Sequence, residues 1–250
     1  MNSNYSNYTD FTNADLTSIS TFVATNLSYS KFTGATLTDT NLSTAILTGV
    51  VSGAVTFKDA TATTTYHSTY AASTATPPVI TTNDGGPLLP PNWLLVKGYL
   101  VGPKADLTSA FLSGTPPDTT STPPTLAVLT YMQNIRVFGA DFTGADLSYV
   151  DFTDSSLARC NFTGAILTGT KFTNCNLEDC IFSGTQISTD TVFTATNLNG
   201  VMSGEIIDAT TKDNVSTSGL TYSTQLPTSW SFKNGYIVGP GAVLFNAKLA

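Results

Sequence analysis

Residues 140–187 read ADFTGADLSYVDFTDSSLARCNFTGAILTGTKFTNCNLEDCIFSGTQI, with a large apolar side chain at every fifth position: Phe142, Leu147, Phe152, Leu157, Phe162, Leu167, Phe172, Leu177, Phe182 and Ile187. A helix repeats roughly every 3.6 residues and a flat strand every second one, so neither accounts for this period. After a one-residue slip it resumes at Phe193 and Leu198. Earlier in the chain, Phe11 and Leu16, then after another slip Phe22, Leu27, Phe32, Leu37, Leu42 and Leu47, obey the same rule. A fixed period of this kind marks an internal repeat.

Two positions before these centres stands a small residue, as at Ala14, Ala35, Ala45, Ala140, Ala145, Cys160, Ala165, Cys175 and Cys180. The position directly before is usually polar, often Asp or Asn. This A(D/N)LXX pattern resembles the pentapeptide-repeat family over roughly residues 9–50, 105–113 and 135–200, with remnants to 250. The resemblance implies an all-β fold, a right-handed quadrilateral parallel β-helix with loop or β-ribbon insertions. Each pentapeptide would make one face, four would make a coil, and the centre and small residues would point inward.

Closure after four pentapeptides requires residues twenty apart to stack, and like shapes do recur at that spacing. Phe142, Phe162 and Phe182 form one column; Leu147, Leu167 and Ile187 the next; Phe152, Phe172 and Phe193 the third; Leu157, Leu177 and Leu198 the fourth. Stacked at the ~4.8 Å spacing of neighbouring strands, these columns would fill a narrow square core.

A longer duplication overlies the repeat. TGVVSG at 48–53 matches NGVMSG at 199–204, and LPPNWLLVKGYLVGPKADLTSAFL at 89–112 matches LPTSWSFKNGYIVGPGAVLFNAKL at 226–249. The expected organisation is a single solenoid over 1–250: a first helix block at 9–50, an excursion and Trp return at 51–104, and a re-entry at 105–113. A Pro/Thr-rich insertion follows at 114–134, then a second block at 135–200, a second excursion and return at 201–241, and a re-entry at 242–250. Trp93 with Tyr99, and Trp230 with Tyr236, are expected to cover an edge or corner, with a carbohydrate-binding platform as the functional alternative. The arms at 57–88 and 205–225, and the stretch 114–125, are expected to be loops or short ribbons.

The net charge of −7 lacks the basic footprint of a nucleic-acid binder. Only 11% of residues are charged, so Thr, Ser, Asn and Gly carry the polar positions. Neither a signal peptide nor an apolar run near the ~20 residues of a membrane span is visible. The sequons at Asn26-Leu27-Ser28 and Asn161-Phe162-Thr163 fall out of the repeat register.

The single histidine, His67, has no visible partner for nucleophilic catalysis, and no enzyme activity, catalytic residue, cofactor site or metal site is expected. Cys160, Cys175 and Cys180 occupy the small inward position and read as reduced core residues, since a zinc site lacks a fourth ligand. Some pentapeptide-repeat proteins inhibit or protect topoisomerases by mimicking DNA with acidic columns. Here the outward columns read Asp141, Asn161, Ile181; Asp146, Ile166, Gln186; and Asp151, Lys171, Val192, none an acidic stripe. Stacked hydroxyls at Thr143, Thr163 and Ser183, and at Thr153, Thr173 and Thr194, raise ice binding, although the same residues serve the turn.

Ile46, Ile166, Ile181 and Val192 stand at outward positions, and repeats begin at Phe11 and run to Leu249 with no capping helix. Apolar faces and unpaired strand edges both invite partners. The expected role is a non-enzymatic structural assembly component, such as a virion, capsid-associated or cell-surface element. Its partners would be other structural proteins or itself, docking by faces or end to end. The alternative is a DNA-mimicking topoisomerase regulator.

Overall fold

One pentapeptide shows how the sequence makes a face and a corner. The N–H of Ala145 donates to the carbonyl of Phe142 at 3.0 Å, and Gly144 between them has φ 65°. A bond closing four residues with positive φ at the third is a type II turn. Phe11 and Ala14 close the same turn around Asn13, at φ 59°. Gly and Asn tolerate this conformation, which is why they recur at the corner. The residue before the centre then locks the turn. Asp141 Oδ1 accepts the Thr143 N–H at 3.0 Å and its hydroxyl at 2.6 Å, and Asn161 does the same for Thr163.

Successive coils join by parallel bonds. Phe142 N–H donates to Asn161 O at 2.7 Å, and Asn161 N–H donates back to Ala140 O at 3.0 Å. Residues twenty apart are therefore bridged, Asp141 with Asn161 and Asn161 with Ile181. The fold is the right-handed quadrilateral β-helix, built of single-residue bridges and very short strands.

The computed structural model describes residues 6–19, 22–57, 87–120, 127, 129–215 and 225–249, with the backbone alone of 65–67. It divides into two compact units, Met1–Leu107 and Thr108–Ala250, a division that falls inside the 105–113 segment.

In the first unit the coil ladder runs on past the first block, pairing Lys31 with Val51 and Thr36 with Thr56. The chain rejoins a coil at Leu88, bridged to Asn41. An antiparallel sheet of β1 (Thr65–His67), β2 (Leu94–Val96) and β3 (Tyr99–Val101) follows the order β1-β2-β3. β2 and β3 form a hairpin around Lys97 and Gly98, at φ 49° and 81°, the type I′ turn whose twist suits a two-residue hairpin.

The second unit holds the longest stack. Parallel pairs join β4 (Thr130–Tyr131) to β5 (Val150–Asp151), and β6 (Gln186–Ile187) to β7 (Ile207–Asp208). Part of the second arm is thus a strand lying on the preceding coil, and Ile207 also bridges Asn214 antiparallel as a short ribbon. The hairpin of β8 (Ser231–Lys233) and β9 (Tyr236–Val238) turns at Asn234 and Gly235, with φ 46° and 79°.

Rings of one column lie face to face: Phe142 and Phe162 at 5.2 Å, Phe162 and Phe182 at 5.0 Å, Phe152 and Phe172 at 5.4 Å, Phe172 and Phe193 at 5.1 Å. Across the coil the two phenylalanine columns meet edge to face, as at Phe162 and Phe172. All these rings are buried, each contributing about 1.5–3 kcal/mol by leaving water. The one-residue slip before Phe193 is absorbed at a corner, where Thr191 N–H closes on Ser188 O and Thr191 Oγ1 donates to Leu167 O at 2.7 Å. The core register beyond it is therefore undisturbed.

Candidate interaction surface

The inward small position does more than make room. Thr170 Oγ1 donates to Leu147 O at 2.8 Å, Thr191 to Leu167 and Thr196 to Phe172, each reaching a centre carbonyl one coil away. The three cysteines sit at the same position and make the same bond: Cys160 Sγ to Val137 O, Cys175 to Phe152 O and Cys180 to Leu157 O. All are free and buried. Burial pushes the Cys160 and Cys175 thiols up to about 12 and Cys180 well above its ordinary value, so the nucleophilic thiolate is suppressed.

The outward aspartates are likewise occupied by structure. Asp146 accepts the Ser148 N–H, and Asp151, itself buried, accepts the Thr153 N–H and the Gln133 side-chain amide. On Asp10 and Asp15 the bonds from Thr12 and Thr17 hold the carboxyls below their ordinary range. The bridged columns are those read from the sequence, Asp141–Asn161–Ile181, Asp146–Ile166–Gln186 and Asp151–Lys171–Val192, so in these three columns no acidic residue stacks on another. The hydroxyls of Thr143 and Thr163 join a ladder from Thr163 through Asn161 and Thr143 to Asp141, turned along the surface and not outward to a lattice of water.

Both hairpins dock on their coils by one device, which sequence reading had reduced to covering aromatic rings. Ser52 stands at a centre position, and its Oγ accepts the Leu100 N–H at 2.8 Å; Ser203 accepts the Ile237 N–H at 2.9 Å. Tyr99 lies against Gly53 and Tyr236 against Gly204, where a β-carbon would approach the rings to 3.2 and 3.1 Å. Trp93 lies on Gly102 and Trp230 on Gly239, and a β-carbon at either glycine would collide with the ring. Trp93 is only 6% exposed, which leaves the first hairpin no open tryptophan face for a sugar. The signals were a serine in the apolar register and the Lys-Gly and Asn-Gly dipeptides of a hairpin turn.

Among the described residues, no group of three or more His, Cys, Asp or Glu could hold a metal, and no helix is long and apolar enough to cross a membrane. The side chain of His67 lies outside the described residues.

The surface instead carries apolar groups. Ile181 is bridged to Met202 and Met202 to Val243, making one outward column of three apolar residues. Met202 and Val243 are exposed, and Phe245 beyond them is 86% exposed. Ile46 is exposed on the first unit, while Ile166, Ile181 and Val192 are half-buried.

Residues 20–51 and 145–184 match the family model of pentapeptide repeats, in eight copies. No curated protein sequence matches the chain. Solved structures with similar coils include trypsin-treated QnrB1, a plasmid-mediated fluoroquinolone resistance protein, at 13% identity over 80% of this chain and 81% of that one, with a TM-score of 0.30. HetL, a pentapeptide repeat protein involved in heterocyst differentiation regulation from the cyanobacterium Nostoc sp. strain PCC 7120, aligns at 16% identity over 83% of this chain and 92% of its own, with a TM-score of 0.24. Rfr23 from the cyanobacterium Cyanothece 51142 aligns at 17% identity over 42% and 88%, with a TM-score of 0.16. Likenesses of this size carry no argument about what the chain binds. The five-residue period, the type II corners and the family model converge, and residues 20–51 and 145–184 of the chain are pentapeptide repeats.

Proposed function

We propose that this chain is a non-enzymatic structural protein whose β-helical faces dock against other proteins or further copies of itself, as a component of a larger assembly such as a virion, capsid or cell surface. The observation that carries the reading is the outward apolar column of Ile181, Met202 and Val243, with Phe245 exposed two residues further along the chain. Apolar groups gathered on a stiff, weakly charged face favour burial against a partner. The buried thiols and structurally engaged carboxylates support the non-enzymatic side of it, because neither is presented for chemistry.

The test is to trace the chain by size fractionation of its native source, beside the double variant Met202→Asp, Val243→Asp. Co-migration with a large assembly, lost in the variant, is the expected result. Migration of the native chain as a free species throughout would overturn the reading. DNA mimicry calls for a stripe of free carboxylates, which the mixed outward columns do not supply; a supercoiling assay at stoichiometric protein is expected to show neither inhibition nor protection of a topoisomerase.

A further inference from the structure

Tyr8 and Tyr29 stand at the same corner of neighbouring coils. Each has φ 60°, and each N–H is fixed to the following coil, Tyr8 to Ser28 O at 3.0 Å and Tyr29 to Thr48 O at 2.8 Å. Equal backbone conformations at equal positions send the two side chains off in one direction. The rings accordingly lie face to face, with centroids 5.1 Å apart and planes 13° from parallel.

This pair differs from the stacked phenylalanines in facing water and in carrying an oxidisable group. Tyr8 is 71% exposed and Tyr29 51%. Among the described residues no other tyrosine is exposed, since Tyr99, Tyr131, Tyr149 and Tyr236 are half-buried. The corner residue of the coil after Tyr29 is Gly49, over which the Tyr29 ring leans so closely that a β-carbon there would collide with it. In the second unit Tyr149 leans over Gly169 in the same way. A corner tyrosine therefore covers the corner residue of the next coil. At Tyr8 the residue so covered is itself a tyrosine, and two phenols meet where elsewhere a phenol meets a glycine.

We propose that Tyr8 and Tyr29 form an oxidative cross-linking site, joined ring to ring as dityrosine by hydrogen peroxide acting through a haem peroxidase. Each phenol gives up one electron and its hydroxyl proton. The two phenoxyl radicals combine through the ring carbons ortho to their oxygens. The hydrogen on each of those carbons then moves to its own oxygen, which restores both phenols. The peroxide takes up the two electrons and two protons and leaves as two waters. Free tyrosyl radicals must find each other by diffusion, whereas here the partner ring is already held alongside. Exposure admits the oxidant and leaves both side chains room to bring their ortho carbons together. The new bond closes the loop between Tyr8 and Tyr29 covalently and so restricts the unfolded chain, as a disulfide would. The site is independent of the apolar column of Ile181, Met202 and Val243.

Oxidation of the full chain at low concentration with a haem peroxidase and hydrogen peroxide tests it. The expected product runs as a monomer on a denaturing gel, is lighter by two hydrogens and shows the blue fluorescence of a biphenol. Cleavage on the N-terminal side of aspartate releases residues 1–9 and 15–38 separately from untreated protein. From the product the two should emerge as one linked fragment, in yield exceeding any other tyrosine pair roughly tenfold. Tyr8→Phe and Tyr29→Phe keep a stacked ring but remove a phenol, and each should abolish that fragment. Tyr8→Phe also separates Tyr8 from Tyr5, which shares the 1–9 fragment. Tyr149→Phe, at the corner where the ring covers a glycine, should leave the link intact. No linked fragment, a link that survives either Tyr8→Phe or Tyr29→Phe, or cross-links formed only between chains and rising with concentration would each overturn the site.

Discussion

The Trp93 ring fills the space that a β-carbon would need at Gly102, and the Trp230 ring does the same at Gly239. Each tryptophan thus clamps its hairpin to the glycine through which the chain returns to the coil. Gly102→Ala and Gly239→Ala should each cost about 1–3 kcal/mol, the usual range for forcing an extra carbon into a packed site. Urea unfolding followed by tryptophan fluorescence would measure it, with an unchanged midpoint counting against the clamp.

Ser52 and Ser203 hold the same hairpins from the other side. Replacing Ser203 with Ala strands the Ile237 N–H and should cost about 1–3 kcal/mol, the penalty for an unsatisfied buried donor. Amide exchange at Ile237 should quicken in this variant while that at Phe162 does not.

Phe162 is stacked on both sides, by Phe142 and by Phe182. Phe162→Ala should cost about 3–5 kcal/mol, and Phe162→Leu much less because it keeps most of the buried volume. A negligible shift in the urea midpoint for the alanine variant would contradict the stack.

Much of this was legible in the sequence because a solenoid repeats its core as a number. Period five located the centres, period twenty located the columns, and the bridges join Asp141, Asn161 and Ile181 as expected. The hairpins were less legible. They depend on ring-on-glycine contacts between residues such as Tyr99 and Gly53, far apart in the chain and in no periodic relation. Ser52 stood in the apolar register without announcing that its hydroxyl would receive a strand. Asp141 read as an outward polar group, whereas its carboxylate is part of the turn, a role visible only once the Thr143 N–H has a direction.

The cysteines give a pH dependence with a definite sign. Burial raises Cys160 and Cys175 from an ordinary 9.0 to about 12, so folding favours the protonated thiols. Stability from this source is fully present below pH 9 and declines as pH rises from 9 towards about 12. Cys175→Thr keeps the bond to the centre carbonyl, as Thr170 and Thr196 do, and should flatten part of that decline. Denaturation midpoints at neutral and alkaline pH would show the difference; parallel curves would contradict it.

The square coil makes Phe142 and Phe162 neighbours although twenty residues separate them, with ring centroids 5.2 Å apart and planes 1° from parallel. Nuclear Overhauser spectroscopy on protein with selectively labelled phenylalanine reads that proximity directly. Cross-peaks from the Phe162 ring to those of Phe142 and Phe182 are the predicted result. Their absence, with the Phe162 ring reporting only Phe172 across the coil, would contradict the fold.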